Sequence, residues 1–205
     1  MTDDAVVTAK SALRAQLLAA RRAVPPEVRQ AEAAALAGHL EQLVGDTGTI
    51  CAYLPVGSEP GSTDMLDGLV RRGIRVLLPV VRTDDDGTPL ALMWGEYQPE
   101  SLGNTLVKAR FGLLEPAPPW LPADAVAQAD LVLIPALAVD RRGVRLGRGA
   151  GFYDRSLPLH RPGVPLVAVV RDTELLPDDL ELPAEAHDVP MTHALTPGLG
   201  PVRLA

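Results

Sequence analysis

The chain has 205 residues, of which 47% are hydrophobic and 22% are charged, and its formal net charge is -7 at pH 7. This length and apolar content suit a single α/β domain with one sizeable core, so we expect one domain over residues 1–205. The acidic balance argues against a general nucleic-acid-binding protein, because such proteins usually display a broad basic surface.

Cys51 is the only cysteine, which excludes an intramolecular disulfide and a zinc site built from several cysteines. We expect it to be buried in a strand. The N-terminus lacks the basic region and apolar run of a secretory signal, and no apolar run approaches membrane-spanning length. We therefore expect a soluble, cytoplasmic protein with no nucleic-acid partner and no membrane partner.

The first half of the chain predicts two helices followed by alternating strands and helices. Ala, Leu, Arg and Gln favour the first helix, which Pro25 and Pro26 end. The first predicted helix covers Thr8–Arg22. A second helix follows the prolines and runs to about Val44. A third is capped by Ser62 or Thr63 and runs through Arg71. The predicted strands cover Thr49–Leu54, Ile74–Leu78 and Leu90–Trp94.

An acidic turn, Asp84-Asp85-Asp86-Gly87, lies between the strand-like segments Val76–Val81 and Leu90–Trp94. Clustered carboxylates can bind a metal ion, but Asp and Gly are also the ordinary residues of solvated hairpin turns. We favour the turn.

The second half predicts two more strands and a polar tail. Leu131–Ile134 is a continuous apolar run bounded by Asp130 and Pro135, of the kind that is buried on both faces of a parallel sheet. Leu166–Val170 supplies a further buried strand. We expect the proline-rich tail after Leu175 to wrap back across the sheet.

Strands that alternate with helices imply a mainly parallel sheet covered by helices on both faces, which is a three-layer α/β sandwich. In such folds, ligands bind beyond the carboxyl ends of the strands. The loops Pro55–Gly61 and Asp140–Asp154 both follow directly after predicted strands. We therefore expect these two loops to form the site.

A glycine-rich stretch, Arg145–Arg155, carries the strongest functional signal in the chain. Gly147, Gly149 and Gly151 stand at alternate positions, where they can take positive φ and let the backbone approach a ligand. A helix over 152–157 would point its first amides at this loop. The pattern indicates phosphate binding, although the stretch is neither a Gly-x-Gly-x-x-Gly fingerprint nor a Walker loop.

The charged residues of the same stretch suit the same ligand. Arg145, Arg148 and Arg155 can neutralise phosphate oxygens, and Asp154 offers a hard oxygen ligand for magnesium. The alternative is a plain glycine turn with solvated arginines. Asp140 can brace the loop through hydrogen bonds, as short polar residues before a glycine turn commonly do.

Three basic residues share one face of the first predicted helix. At 100° per residue, Lys10, Arg14 and Arg21 fall within about 40° of one another. Cations beside an apolar stripe are usually solvated, with stems that cover the edge of the core. We keep Arg21 as a surface residue on that ground.

Five stretches follow in order from about residue 10 to residue 197: Lys10 with Arg14, Tyr53–Pro60, Leu114–Pro116, Pro135–Arg155 and His187–Pro190. Together they resemble the signature of the 5-formyltetrahydrofolate cyclo-ligase family, also called 5,10-methenyltetrahydrofolate synthetases. The resemblance implies a Rossmann-like α/β sandwich. It also implies an ATP- and magnesium-dependent ligase that converts 5-formyltetrahydrofolate to 5,10-methenyltetrahydrofolate, ADP and phosphate. Its partners would be these small molecules, with a monomer expected and a homodimer as the alternative.

The resemblance also implies roles for individual residues. The catalytic residues would be Arg148, Arg145 and Tyr153. ATP would be bound by Lys10, Arg14, Arg145, Leu146, Gly147, Arg148, Gly149, Ala150, Gly151, Phe152 and Tyr153. The folate would be bound by Glu59, Leu54, Arg148 and Tyr153. Magnesium would be bound by Asp154 and Asp188.

The implied role of Glu59 agrees with its chemistry, because the pterin ring presents amino and ring N–H donors that suit a carboxylate acceptor. Tyr153 at the start of a helix can be core or can face the pocket, and its own chemistry leaves both open. His187 we expect to be structural.

The chain departs from the family pattern at several positions: Ala150 for a third consecutive glycine, Val139 for a frequent phenylalanine, Glu174 for a glutamine, and Thr192 for an aspartate. Two other functions are weighed against the ligase. One is a non-catalytic folate- or nucleotide-binding regulatory protein on the same fold. The other, a sugar-phosphate isomerase or deaminase, would need an acid-base pair that the pocket residues do not supply.

Overall fold

The computed structural model describes residues 3–103, 106–109, 112–185 and 188–204. Within them the α-helices are α1 (Asp3–Ala23), α2 (Pro26–Val44), α3 (Thr63–Arg71) and α4 (Phe152–Ser156). The strands are β1 (Thr49–Cys51), β2 (Arg75–Val80), β3 (Met93–Glu96), β4 (Leu106–Lys108), β5 (Leu114–Pro116), β6 (Leu131–Pro135), β7 (Ala138–Val139), β8 (Arg145–Leu146), β9 (Leu166–Val169), β10 (His193–Thr196) and β11 (Gly200–Arg203).

The helix boundaries follow from local chemistry. Pro26 occupies the first turn of α2, where the missing N–H costs nothing, and extended Pro25 separates α2 from α1. Ser62 caps α3 by accepting a hydrogen bond from the Met65 amide at 3.4 Å, which confirms one of the two predicted caps.

Seven strands form one sheet in the order β11-β10-β9-β6-β1-β2-β3. The central pairs, from β2 through β1, β6 and β9 to β10, are parallel, whereas the edge strands β3 and β11 pair antiparallel. The carboxyl ends of the parallel strands therefore meet at one edge of the sheet. This confirms the mainly parallel sheet that the alternation of elements predicts.

Alternate residues of the strands pack into two separate cores, one on each face of the sheet. Leu131 and Leu133 of β6 face the core that α2 and α3 cover, which includes Leu36 and Leu66. On the other face the core contains Val132 and Ile134, together with residues of the 3₁₀ segment Ala123–Gln128 and of the segment that follows α4. A run buried on both faces is therefore continuously apolar, as predicted for this strand.

A third, smaller core joins α1 to a β-hairpin. β7 and β8 pair antiparallel, and Leu137, Ala138 and Leu146 of this hairpin pack against Leu13 and Leu17 of α1. The first helix therefore lies over the hairpin that follows β6, above the carboxyl end of the sheet.

Several predicted boundaries are wrong. The strand predicted over 49–54 ends at Cys51, the one predicted over 90–94 lies at Met93–Glu96, and the helix predicted over 152–157 ends at Ser156. The tail after Leu175 runs back over one face of the sheet, as predicted, because β10 is parallel to β9 and both Leu175 and Met191 pack into the core on that face. It then extends the sheet at one edge, as β10 and β11.

The acidic turn is a turn, as predicted. The Asp84 carboxylate accepts hydrogen bonds from the amides of Asp86 at 3.1 Å and Thr88 at 2.7 Å.

None of the described helices is both long enough and apolar enough to span a bilayer. Cys51 is buried in β1, as expected.

Candidate active site

A cavity of about 300 Å³ opens at the carboxyl ends of β1, β2 and β6. Two predicted loops meet in it, the one after β1 and the glycine-rich stretch. The predicted residues that line it are Leu54, Glu59, Arg145, Gly147, Arg148, Gly149, Ala150, Gly151, Phe152, Tyr153 and Asp154. Four predicted residues, Lys10, Arg14, Leu146 and Asp188, lie outside the lining that the described residues form.

The glycine-rich stretch needs its glycines for two different reasons. Gly149 and Gly151 have φ values of 97° and 76°, in the left-handed region that side chains disfavour. Gly147 was expected to share this conformation, but it does not. A Cβ at position 147 would instead lie 2.6 Å from Nη1 of Arg145, so this glycine makes room for the guanidinium.

Asp140 braces the start of this stretch, as predicted. Its buried carboxylate accepts hydrogen bonds from the amides of Arg142 at 3.0 Å, Val144 at 2.9 Å and Leu182 at 3.0 Å. The turn is further tied to the tail, since the Met191 amide donates to the Gly143 carbonyl at 2.8 Å. These bonds fix the hairpin from which the glycine-rich stretch emerges.

Glu59 is held in place by its own loop. Its Oε2 accepts a hydrogen bond from the Val56 amide at 2.9 Å, and the Tyr53 hydroxyl donates to the Pro60 carbonyl at 2.6 Å. Its Oε1 lies 3.1 Å from Nε of Arg148. The structure thus pairs the predicted folate ligand with a predicted catalytic arginine.

Arg145 is nearly buried and rigidly held. It contacts Asp154 Oδ1 through Nη2 at 2.6 Å and the Pro135 carbonyl through Nη1 at 3.4 Å. Its guanidinium also lies over the Tyr153 ring, with 5.5 Å between Cζ and the ring centroid. A cation fixed in this way offers a preorganised positive charge at the cavity wall.

The Tyr153 hydroxyl is buried and has no hydrogen-bond partner among the described residues. Burial, with the Glu59 carboxylate as a second cause, raises the pKa of Tyr153 well above its usual range. The Tyr153 hydroxyl therefore stays protonated and can donate a hydrogen bond to a ligand. Its side chain lines the cavity and also packs against the core, so the structure shows features of both roles left open for Tyr153.

The basic face of α1 reaches the same region. Arg14 donates from Nε to the Gly147 carbonyl at 3.0 Å, and Lys10 lies 2.7 Å from Glu185 and 3.8 Å from Asp188. Arg21 is not a surface residue, which corrects the prediction. It is buried, lines the cavity, and forms an ion pair with Glu174 at 2.7 Å.

The two predicted magnesium ligands occupy different places. Asp154 lines the cavity and is engaged by Arg145 through Oδ1, so its second carboxylate oxygen can serve a cation that takes its other ligands from phosphate and water. Asp188 instead accepts a hydrogen bond from the Glu185 amide at 2.8 Å. No group of three or more His, Cys, Asp or Glu residues able to hold a metal occurs in the described part of the chain. His187 lies outside the described residues.

Sequence reasoning missed most of the apolar wall of the cavity, to which β2, the residue before β3, the start of β5 and the end of β6 contribute. Its residues include Leu78, Leu92, Leu113, Leu114, Pro135 and Leu137. Their apolar character gives no local sign of a ligand. Arg21 was detectable, because it shares a helix face with Lys10 and Arg14.

Comparison with known proteins decides the family. The sequence model of the 5-formyltetrahydrofolate cyclo-ligase family matches residues 6–197. The chain belongs to this family. The cyclo-ligase of Mycolicibacterium smegmatis is 58% identical over 195 residues, which cover 95% of this chain and 97% of that protein. The cyclo-ligase of Escherichia coli K12 is 32% identical over 181 residues, 86% of this chain and 94% of that protein.

Among solved structures, the 5,10-methenyltetrahydrofolate synthetase of Aquifex aeolicus aligns with a TM-score of 0.71 and 22% identity, covering 95% of this chain and 92% of that one. This likeness supports the three-layer α/β fold. The family match and the 58% identical relative confirm the resemblance drawn from the cyclo-ligase motifs, and with it the prediction that the chain is a ligase.

Proposed function

We propose that this protein catalyses the ATP- and magnesium-dependent conversion of 5-formyltetrahydrofolate to 5,10-methenyltetrahydrofolate, with ADP and phosphate as the other products. The observation that carries the proposal is the meeting of Glu59 with Arg148, 3.1 Å apart, in one cavity that the glycine-rich stretch also lines. A carboxylate that binds the pterin and a loop that binds phosphate would then face the same cavity.

The reaction needs activation because an amide-like formyl group is a poor electrophile. In the proposed sequence, the γ-phosphoryl group passes to the formyl oxygen and ADP leaves. Nitrogen 10 then attacks the formyl carbon and loses its proton, and the carbon–oxygen bond breaks as phosphate departs. This route needs no protein nucleophile, so the work of the protein is positioning and charge neutralisation.

The arginines would supply that charge. Arg145 is held by Asp154 and Pro135 in a fixed position, so it can stabilise a transferring phosphoryl group without reorganising. Arg148 is more exposed and can turn from Glu59 to a phosphate oxygen. The amides of Gly149–Gly151 would contribute further donors to the same oxygens.

Magnesium, when bound, would neutralise the triphosphate and orient its oxygens. We propose Asp154 as the residue that holds it, with Asp188 as a second predicted ligand. Lys10 and Arg14 are proposed to contact the nucleotide from α1.

The folate would lie against the apolar wall. Glu59 would accept hydrogen bonds from the pterin donors, and Leu54 and Tyr153 would pack against the ring. The Tyr153 hydroxyl, buried without a partner among the described residues, would find one on the substrate.

The test is an absorbance assay in the near-ultraviolet band of the methenyl product. Purified protein, 5-formyltetrahydrofolate, magnesium and ATP should give a rise in absorbance, and omission of ATP or of magnesium should abolish it. A folded preparation that gives no rise, while a known cyclo-ligase is active in parallel, contradicts the proposal and favours the non-catalytic binding protein.

A further inference from the structure

Arg21 is the only fully buried residue among the described side chains of α1, with 1% of its surface exposed. The apolar side chains that attach this helix, Leu13, Leu17 and Leu18, are only half-buried on the β7–β8 hairpin. The deepest anchor of α1 is therefore a charged side chain. Such burial requires a dedicated partner.

That partner is Glu174, itself 3% exposed. Nε and Nη2 of Arg21 donate to the two carboxylate oxygens of Glu174, each at 2.7 Å, which is the bidentate geometry of a guanidinium–carboxylate pair. Nη2 also donates to the Ala136 carbonyl at 2.5 Å, directly after β6 ends. Glu174 in turn accepts from the Arg171 amide at 2.9 Å, after β9. Arg21 thus ties α1 to the ends of two central strands.

The pair also fixes the direction of α1 over the cavity. Arg14 lies two turns before Arg21 on the same helix face, about 10 Å away along the axis. From there it reaches the Gly147 carbonyl at 3.0 Å, while Lys10 lies one turn further. A helix fixed at Arg21 therefore presents Arg14 to the glycine-rich stretch, and a helix free at that end would not.

We infer that Arg21 and Glu174 are positioning residues: their buried pair holds α1 in the orientation that brings Arg14 and Lys10 to the nucleotide. This inference rests on the proposed function for the nature of the ligand. The geometry of the pair, with its three donated hydrogen bonds, carries the anchoring itself.

The test replaces both charges together, because removing one would leave the other buried and unpaired. In the double variant Arg21→Met/Glu174→Gln, the glutamine oxygen can still accept from the Arg171 amide. The matched control is Arg22→Met, since Arg22 is the exposed neighbour on the same helix. Three measurements are made: hydrogen exchange of the α1 amides, binding of a non-hydrolysable ATP analogue with magnesium, and steady-state kinetics at varied ATP concentration.

In the double variant we expect faster exchange along α1 while the sheet keeps its protection. We expect nucleotide affinity to fall about tenfold, the size of one lost charge-assisted contact, with kcat changed much less than KM for ATP. Arg22→Met should match the wild type in all three measurements. If the double variant does not fold, Arg21→Lys keeps the charge but loses the bidentate contact, and should show the same effects to a smaller degree.

A folded double variant with unchanged α1 exchange and unchanged affinity overturns the inference. If the wild type binds no nucleotide, the proposed function fails, and the exchange measurement still decides separately whether the pair anchors α1.

Discussion

Replacement of Arg148 tests whether this side chain neutralises a transferring phosphoryl group in the cavity. Its side chain is 49% exposed and pairs with Glu59 at 3.1 Å, and an ion pair this exposed contributes little to stability. Arg148→Ala should therefore lower kcat/KM by about 10²–10³-fold, as loss of one transition-state donor does. Its melting temperature should change by no more than about 2 °C. Steady-state kinetics and a thermal melt measure the two effects.

Arg161 offers a matched control for this variant. It pairs with Asp130 at the same distance, 3.1 Å, and its side chain is 55% exposed, but it does not line the cavity. Arg161→Ala should leave turnover unchanged. Equal losses of activity in the two variants would show that the effect of Arg148 is general electrostatics and not contact with the reacting group.

Removal of the Tyr153 hydroxyl should change stability and activity in opposite directions. Its hydroxyl is buried without a partner among the described residues, so it costs desolvation free energy in the ligand-free protein. Tyr153→Phe should raise the free energy of unfolding by about 1 kcal/mol and lower kcat/KM about tenfold, because the substrate is the proposed partner. Urea titration measures the change in the free energy of unfolding, and steady-state kinetics measure the change in kcat/KM. Unchanged turnover would remove the hydroxyl from the proposed site.

At the scale of elements, the β7–β8 hairpin depends on one glycine. Gly143 has a φ of 86°, and a Cβ there would overlap the Met191 carbonyl oxygen. Gly163 has a φ of 83° with open space around it. Gly163→Ala should cost about 1–2 kcal/mol of backbone strain, and Gly143→Ala should cost at least about 2 kcal/mol more because the backbone must also move. If urea unfolding shows the same loss of stability in both variants, the tail at Met191 can move away from position 143 at no cost, and the close contact does not matter.

The elements that sequence reasoning missed share one physical cause. β7, β8, β10 and β11 have only two to four residues each, and β10 depends in addition on pairing with β9. Their own hydrophobic pattern is too short to show a period. The long helices and the apolar strand at Leu131–Ile134 have strong local patterns, and their existence was predicted. Strand ends were missed where backbone pairing stops before the apolar run does, as after Cys51.

At the scale of the whole molecule, the place of the site followed from topology, since loops after parallel strands meet at one edge of the sheet. Glu59 and the glycine-rich stretch meet there as expected. The pairing of Arg148 with Glu59 could not be predicted, because the two residues are far apart in the chain. Arg21 was misassigned for a related reason: its partner Glu174 lies 153 residues further along the chain.

The two cores also set the response of the fold to alkali. Burial raises the pKa of the Cys51 thiol from 9.0 to about 12, and burial likewise raises the pKa of Tyr53 and Tyr153 above their usual range. Above pH 9 the unfolded chain loses the Cys51 proton while the folded chain keeps it, so the free energy of unfolding falls as pH rises. The slope should reach about 1.4 kcal/mol per pH unit for the thiol alone, with the tyrosines adding to it above about pH 10.

Urea titrations of the wild type and of Cys51→Ala, under reducing conditions from pH 7 to pH 11, isolate the thiol. The variant loses buried volume and should be less stable at pH 7, but it has no thiol to titrate. The difference in stability between the two proteins should therefore narrow steadily above pH 9. Parallel curves would mean that the thiol titrates in the folded protein as it does in the unfolded chain, and that water reaches the centre of the sheet beneath the proposed site.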